Sequence, residues 1–347
     1  MSHLAIPHNR PFGATCRKDS DTFTRILVPV EGLFEAGSLL SHAGAIAKAY
    51  DAQVTLLYML LEPPAGTAGQ APVDPWDWQV RQIQAESDLK SLAARLQEAG
   101  LDVQTDSLAG KGRTIGSTSA FSGETDLVIL SGQQPAGFNS WQVSPAILEI
   151  IQRANASVMV VRPGQAVDPD PADPRYRRIM VPLDGSLRAE YGLNAAVHLA
   201  RQCDARLLAA HVVKPPEMPR RMPLSQQERR LMEQVIACNQ KEASRYLENL
   251  IRKLDVRLTH CLLTGLDVAK QLYTIIEQQG IDLVVLNAHG FTGDSHWPYG
   301  SLAVNFMLNC PVPVLVVQDF AFERLGSLLP ARQEVEEGRR VDNYRVD

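Results

Sequence analysis

The chain has 347 residues, of which 45% are hydrophobic and 21% are charged, and its formal net charge is −5. This length favours two domains, each with enough apolar residues for an ordinary buried core. The negative charge argues against nucleic-acid binding, no stretch approaches the ~20 apolar residues of a membrane span, and the five cysteines show no ligand-like spacing. We therefore expect a reduced, cytoplasmic protein with no nucleic-acid partner and no membrane insertion.

The sequence repeats itself after 153 positions. The segment Arg25–Gly32 (RILVPVEG) recurs as Arg178–Gly185 (RIMVPLDG), and Asp51–Val54 recurs as Asp204–Leu207. A register that holds over so much of the chain indicates a duplicated domain rather than a short-repeat solenoid.

Composition along the chain divides it into five parts. Polar and irregular residues precede the first repeat, a stretch rich in Pro and Asp separates the repeats, and charged residues without periodicity follow the second. We predict a flexible arm over 1–22, a first domain over 23–163, a linker over 164–176, a second domain over 177–319 and a charged tail over 320–347.

Apolar runs and amphipathic stretches alternate along each repeat. In the second repeat, Leu193, Ala196, Val197 and Ala200 lie at helical spacing. The other elements predicted there are strands at 179–183, 207–213, 256–263, 281–286 and 312–317, and helices at 225–254, 268–279 and 302–309. The first repeat follows the same order, although Gly and Ser weaken its third helix near Gly116–Phe121. This alternation predicts an α/β protein with two tandem doubly wound, mostly parallel five-stranded sheets of Rossmann-like topology.

An open parallel sheet binds its ligand beyond the carboxyl ends of its strands. After the fourth strand, the second repeat reads Asn287-Ala288-His289-Gly290, then nine residues, then Gly300-Ser301 at the start of a helix. Glycine lets backbone N–H groups approach phosphate oxygens, and a helix start adds unpaired N–H groups and a positive dipole end. Asp184, which follows the first strand, can accept hydrogen bonds from ribose or adenine. The pattern predicts a nucleotide site.

With these residues the chain resembles the universal stress protein family in its tandem form. ATP-binding members carry Gly-x2-Gly-x9-Gly-Ser/Thr at this place, and the resemblance spans residues 24–161 and 178–317. It implies a fold like that of the adenine nucleotide α-hydrolases, and ATP or AMP as the ligand, with Val212 packed against adenine. The nucleotide-binding residues that it implies are Asp184, Val212, Asn287, His289, Gly290, Gly293, Gly300 and Ser301.

The second repeat also departs from the family pattern. Asn287 replaces the first glycine, Asp294 adds a negative charge, and Trp297-Pro298 stiffens a stretch that is usually aliphatic. The loop has no lysine, so phosphate charge must be met by amides, a partner or a bridging Mg²⁺ or Mn²⁺ ion.

The first repeat has lost most of the pattern. Gln134 would project into the phosphate path, and Pro145 removes an N–H group from the helix start. Gly137 remains, but one glycine after a strand is ordinary turn chemistry. The residues that stand at the site positions are Glu31, Met59, Ser131, Gln134, Ser144 and Pro145. We expect this half to serve as a scaffold.

Three functions remain open at this stage. The leading hypothesis is a regulatory stress-response protein that binds an adenine nucleotide in its second half, with at most slow ATP hydrolysis and an unidentified protein partner. The alternatives are a ligand-free interaction scaffold and a nucleotide-dependent enzyme such as an adenylyl transferase. His211, His289 and His296 match no metal-ligand spacing and are interpreted as structural.

The last strand of each repeat, at 158–161 and 312–317, is apolar and rich in β-branched residues. Such strands at a sheet edge favour pairing, and family members commonly dimerise there. We expect the two halves to pair as an intramolecular pseudo-dimer, and a further homodimer stays open.

Overall fold

Ten strands and six helices make up the part of the chain that the structure describes. The structure is a computed structural model, and it describes residues 23–30, 33–61, 75–110, 125–132, 156–163, 176–186, 188–216, 225–254, 256–290 and 299–318. The predicted arm, most of the linker, the tail and the segment Gly116–Phe121 lie outside these residues.

The strands and helices alternate in both halves, as the sequence predicts. The first half contains β1 (Arg25–Val30), α1 (Leu33–Tyr50), β2 (Gln53–Leu61), α2 (Pro75–Glu98), β3 (Val103–Gly110), β4 (Leu127–Ser131) and β5 (Ser157–Val161). The second half contains β6 (Arg178–Pro182), α3 (Ala189–Cys203), β7 (Arg206–Val213), α4 (Gln226–Lys253), β8 (Leu258–Thr264), α5 (Val268–Gln279), β9 (Leu283–Asn287), α6 (Ser301–Asn309) and β10 (Val314–Val317).

The two five-stranded sheets join into one sheet of ten strands, in the order β3-β2-β1-β4-β5-β10-β9-β6-β7-β8. Neighbours within each half are parallel. At the junction β10 runs antiparallel to β5, with Val314 opposite Val160 and Val316 opposite Val158. The predicted α/β fold with mostly parallel sheets is confirmed, and the last strands of the two halves pair as expected.

Burial explains why these segments form these elements. Every residue of β4 and of β9 is buried, as expected for parallel strands covered by helices on both faces. The four α3 residues predicted at helical spacing are all buried. Helix α5 begins where the Asp267 carboxylate accepts a hydrogen bond from the Lys270 amide, and it ends at Gly280, whose φ of 58° is in the left-handed region.

A buried polar seam holds helices of the two halves together. The Tyr50 hydroxyl donates to the Ala195 carbonyl at 3.1 Å, and Nε2 of His198 donates to the Ala49 carbonyl at 2.9 Å. The hydroxyl of Tyr176 lies 2.8 Å from Nδ1 of His42. Both residues of this last pair are 1% exposed, although Tyr176 stands at the end of the predicted linker. The seam therefore ties the start of the second half to α1.

Among the described residues, no helix combines the length and apolar character that crossing a membrane requires.

Replacing Tyr176 by Phe tests the seam. The change leaves Nδ1 of a buried histidine without its hydroxyl partner, so we expect the free energy of unfolding in urea to fall by about 1–3 kcal/mol. The matched control is Tyr58→Phe, because Tyr58 is half-buried and its hydroxyl has no hydrogen-bond partner among the described residues. Equal losses in the two variants would contradict the proposed contribution of the seam.

Candidate functional site

A cleft of about 1420 Å³ lies at the carboxyl ends of β6, β7 and β9, beside the starts of α5 and α6. Seven of the eight predicted site residues line it, and the eighth, Gly293, lies outside the described residues. The seven are Asp184, Val212, Asn287, His289, Gly290, Gly300 and Ser301. Asp184 and Asn287, which are 103 positions apart along the chain, are thus brought to one edge of the sheet.

A tight turn fixes the Asp184 carboxylate. Its Oδ1 atom accepts hydrogen bonds from the amide of Ser186 at 2.9 Å and from the hydroxyl of Ser186 at 2.6 Å. Gly185, between them, has a φ of 84°, a conformation that L side chains rarely adopt. The Ser186 hydroxyl also accepts from the Ala189 amide at 3.1 Å, which links the turn to the start of α3. Ser186 was missed by the sequence analysis, although Asp-Gly-Ser after a strand is a recognisable turn pattern.

The second carboxylate oxygen of Asp184 faces Gly290. A Cβ atom placed on Gly290 would lie 2.5 Å from Oδ2 of Asp184, so no other residue fits there without displacing the carboxylate. The strand-one acid and the loop glycine are therefore direct neighbours across the cleft. A larger residue at position 290 would have to rotate the Asp184 side chain out of its observed position.

The end of β9 is held on both sides. The Ala288 amide donates to the Val317 carbonyl at 2.7 Å, and the Ala288 carbonyl accepts from the Gly300 amide at 2.7 Å. This second bond sets the start of α6 directly beside the end of β9.

Gly192 of α3 was also missed by the sequence analysis. A Cβ atom there would lie 3.2 Å from the Asn287 amide nitrogen, so glycine lets α3 approach β9 closely.

Asn287 stands where the family pattern has a glycine, and this residue is 8% exposed. Its Nδ2 atom donates to the His289 carbonyl at 3.2 Å. Its Oδ1 atom is buried and has no hydrogen-bond partner among the described residues. The amide is therefore held within the turn after β9 and leaves one acceptor unsatisfied at the wall of the cleft.

The start of α6 is open. Gly300 is the residue before its first turn, and the described side chains provide no hydrogen-bonding cap there. The first-turn amides of a helix lack intrahelical partners and carry the positive end of the helix dipole. Ser301, exposed in the first turn, adds a hydroxyl at the same place. This end of the cleft can accommodate an anion.

On the other side of the cleft, β7 contributes His211 and Val212. Nδ1 of His211 donates to the Leu183 carbonyl at 2.7 Å, which agrees with the structural interpretation of this histidine. Val212 is half-buried and packs against the core cluster of α5 and α6, so an apolar surface faces the cleft at this point.

Helix α4 closes the cleft with Tyr246, whose hydroxyl donates to Oε1 of Glu190 at 3.1 Å. Burial, followed by the charge and hydrogen bond of Glu190, raises the pKa of Tyr246 far above that of a free phenol. The phenol therefore stays neutral at physiological pH.

The described lining of the cleft is acidic. It contains the carboxylates of Asp184, Glu242 and Asp267 against the single ammonium group of Lys214. Among the described residues, no group of three or more His, Cys, Asp or Glu side chains is placed to hold a metal ion.

The other predicted features of the loop and of the first half can be placed only in part. Asp294, His296 and Trp297-Pro298 lie outside the described residues. So do the first-half positions Glu31, Gln134, Gly137, Ser144 and Pro145. Ser131 and Met59 are described, and both are buried, with exposures of 4% and 3%.

Comparison with known proteins gives one family. The sequence model of the universal stress protein family matches residues 22–162 and 175–318. A universal stress protein of Methanocaldococcus jannaschii is 26% identical to the chain over 143 residues, which covers 41% of this chain and 82% of that protein.

The solved structures that are similar over most of the chain include one from Archaeoglobus fulgidus and one from Pseudomonas aeruginosa PAO1. A universal stress protein from Archaeoglobus fulgidus has a TM-score of 0.57 at 15% identity, with 85% of this chain and 98% of that chain covered. A protein of unknown function from Pseudomonas aeruginosa PAO1 has a TM-score of 0.59 at 17% identity, with coverage of 89% and 99%. At these identities the similarity establishes the fold alone.

The family model matches most of the chain in two successive segments, which coincide with the two halves of the ten-stranded sheet. The chain therefore belongs to the universal stress protein family and carries two of its domains in tandem.

Proposed function

We propose that the second half binds an adenine nucleotide, ATP or AMP, and that occupancy of the cleft regulates the interaction of this cytoplasmic protein with a partner. The observation that carries the proposal is the pairing of Asp184 with Gly290 beside the open start of α6. An acceptor for sugar or base hydroxyl and amino groups, a backbone without a side chain, and unpaired helix amides are together what a nucleotide requires.

Each part of a nucleotide has a matching surface in this arrangement. The fixed Asp184 carboxylate suits ribose hydroxyls, and the apolar surface at Val212 suits the adenine ring. The amides at Gly290 and at the start of α6 suit phosphate oxygens. The acidic lining disfavours a bare triphosphate, so ATP would enter with Mg²⁺ or Mn²⁺ bound to its phosphates.

The chemistry of the lining favours binding over catalysis. Tyr246 is held as a neutral phenol, and the Nδ1 atom of His211 is engaged by a backbone carbonyl. Regulation by occupancy requires no reactive group, because a bound nucleotide changes the surface that the cleft presents to a partner.

A second candidate is a ligand-free interaction scaffold, and the position of Asn287 favours it. The buried amide occupies the place of a family glycine, adds a side chain beside the proposed phosphate path and leaves its Oδ1 acceptor unsatisfied. Denaturing the purified protein and chromatographing the supernatant separates the candidates. Nucleotide at close to one equivalent per chain, or calorimetric binding of added ATP with Mg²⁺, supports the leading proposal. A protein that releases none and binds none supports the scaffold.

Replacing Gly290 by Ala tests the pairing of Asp184 with Gly290 that carries the proposal. The new Cβ would displace the Asp184 carboxylate, so we expect the dissociation constant for ATP to rise by about tenfold or more, with the fold retained. Gly37→Ala is the matched control, since a Cβ at Gly37 of α1 meets no atom within 4 Å. Calorimetry gives both affinities. Unaltered binding by the Gly290 variant would contradict the proposed role of this pairing.

Replacing Asp184 by Asn distinguishes the two ends of the nucleotide. If the carboxylate accepts from ribose or adenine, its neutralisation weakens adenosine and AMP binding by about tenfold, because a charged acceptor is lost. If phosphates lay against Asp184, neutralisation would strengthen ATP binding instead. Isothermal titration with adenosine, AMP and ATP measures the sign, and a gain in affinity would contradict the proposed orientation.

A further inference from the structure

Strand β8 forms one outer edge of the ten-stranded sheet. The Leu207 amide donates to the Arg257 carbonyl at 3.0 Å, and the Gly265 amide donates to the Val213 carbonyl at 3.1 Å. Odd-numbered residues of this segment therefore direct their backbone groups towards β7. In a parallel strand the alternate residues direct theirs to the opposite side. The N–H and C=O groups of His260, Leu262 and Thr264 thus point away from the sheet.

The opposite edge of the sheet, β3, is protected against strand pairing. The Val54 amide donates to the Asp102 carbonyl at 2.9 Å, so the odd-numbered residues of β3 point outward. The outward amide of Ser107 is satisfied by the Asp106 carboxylate at 2.8 Å. Two carboxylates, Asp102 and Asp106, also lie along this edge. Charged residues and local hydrogen bonds are common means of blocking an edge strand.

The β8 edge has no such protection among the described residues. Its sequence, LTHCLLT, contains no Asp, Glu, Lys, Arg or Pro. Cys261 and Leu263 pack against the core cluster of α5 and α6. Leu262 lies at the centre of this edge. It is half-buried and belongs to no core cluster of the described residues. An uncharged edge with an apolar residue at its centre favours pairing with another strand.

We propose that β8 pairs antiparallel with β8 of a second copy of this chain, about a twofold axis that passes beside Leu262. The outward groups of Leu262 then exchange two hydrogen bonds with Leu262 of the second copy. His260 exchanges two with Thr264 of the second copy, and Thr264 exchanges two with His260 of the second copy. The two leucine side chains also face each other.

Charge at the ends of β8 favours a second copy as the occupant. Arg257 precedes the strand, is exposed and lies 3.6 Å from the Asp204 carboxylate of its own chain, and the exposed Asp267, which caps α5, follows the strand. A twofold axis at residue 262 brings Arg257 of each copy towards Asp267 of the other, since both lie five positions from the axis. The β8 edge is therefore complementary to itself, and this inference is independent of nucleotide binding.

Sedimentation of the full chain tests the proposal. We expect the wild type to be a dimer and Leu262→Pro to be a monomer, because proline removes an outward N–H group and leaves the bonds to β7 intact. The matched control is Thr105→Pro on β3, which removes an outward N–H group at the other edge and should remain dimeric. A monomeric wild type, or a Leu262→Pro variant that remains dimeric, would overturn the proposal.

A pair of charge variants tests the axis itself. In Leu262→Lys or Leu262→Glu, like charges meet at the twofold axis, so each protein alone should dissociate, with a dissociation constant raised by about tenfold or more. A mixture of the two variants should form a heterodimer, because opposite charges then face each other. A mixture that stays monomeric while each variant keeps its fold by circular dichroism would count against pairing at Leu262, as would dimers of either variant alone.

Discussion

The antiparallel pairing of β5 with β10 is the constraint on which the rest of the molecule depends. Both strands are fully buried, and each would be an apolar edge if its half stood alone. Because β10 reverses direction relative to β5, the carboxyl ends of the two half-sheets face opposite ends of the molecule. The carboxyl ends of the two sets of parallel strands therefore lie at separate edges.

The junction nevertheless reaches the candidate site through α6. Tyr299, the residue before Gly300, and Met307 of α6 pack against the core clusters of both halves. The Gln318 amide, just after β10, donates to the Ser157 hydroxyl at the start of β5 at 3.1 Å. The helix that presents its open start to the cleft is thus seated on the first half. A domain without the nucleotide pattern can support the site of its twin in this way.

Much of the fold could be predicted from local pattern. Continuous apolar runs predict buried parallel strands, and the bounds predicted for α5 match those observed, because Asp267 and Gly280 are strong start and stop signals. The approach of Asp184 to Gly290 could be anticipated in outline, since both follow strands whose carboxyl ends share an edge. Residue spacing cannot give the distance between them.

Other features depend on tertiary distances that no local pattern contains. The role of Gly192 arises from how closely α3 approaches β9, and the unsatisfied Oδ1 atom of Asn287 arises from the turn around it. The open edge of β8 depends on which residues of the strand face β7, and this follows only from the register.

A crystal structure of the protein with ATP and Mg²⁺ tests the central claim most directly. The account predicts phosphates at Gly290 and the start of α6, adenine at Val212 and no nucleotide in the first half. Nucleotide bound in the first half instead, or a second-half cleft that stays empty at saturating ATP, would contradict it.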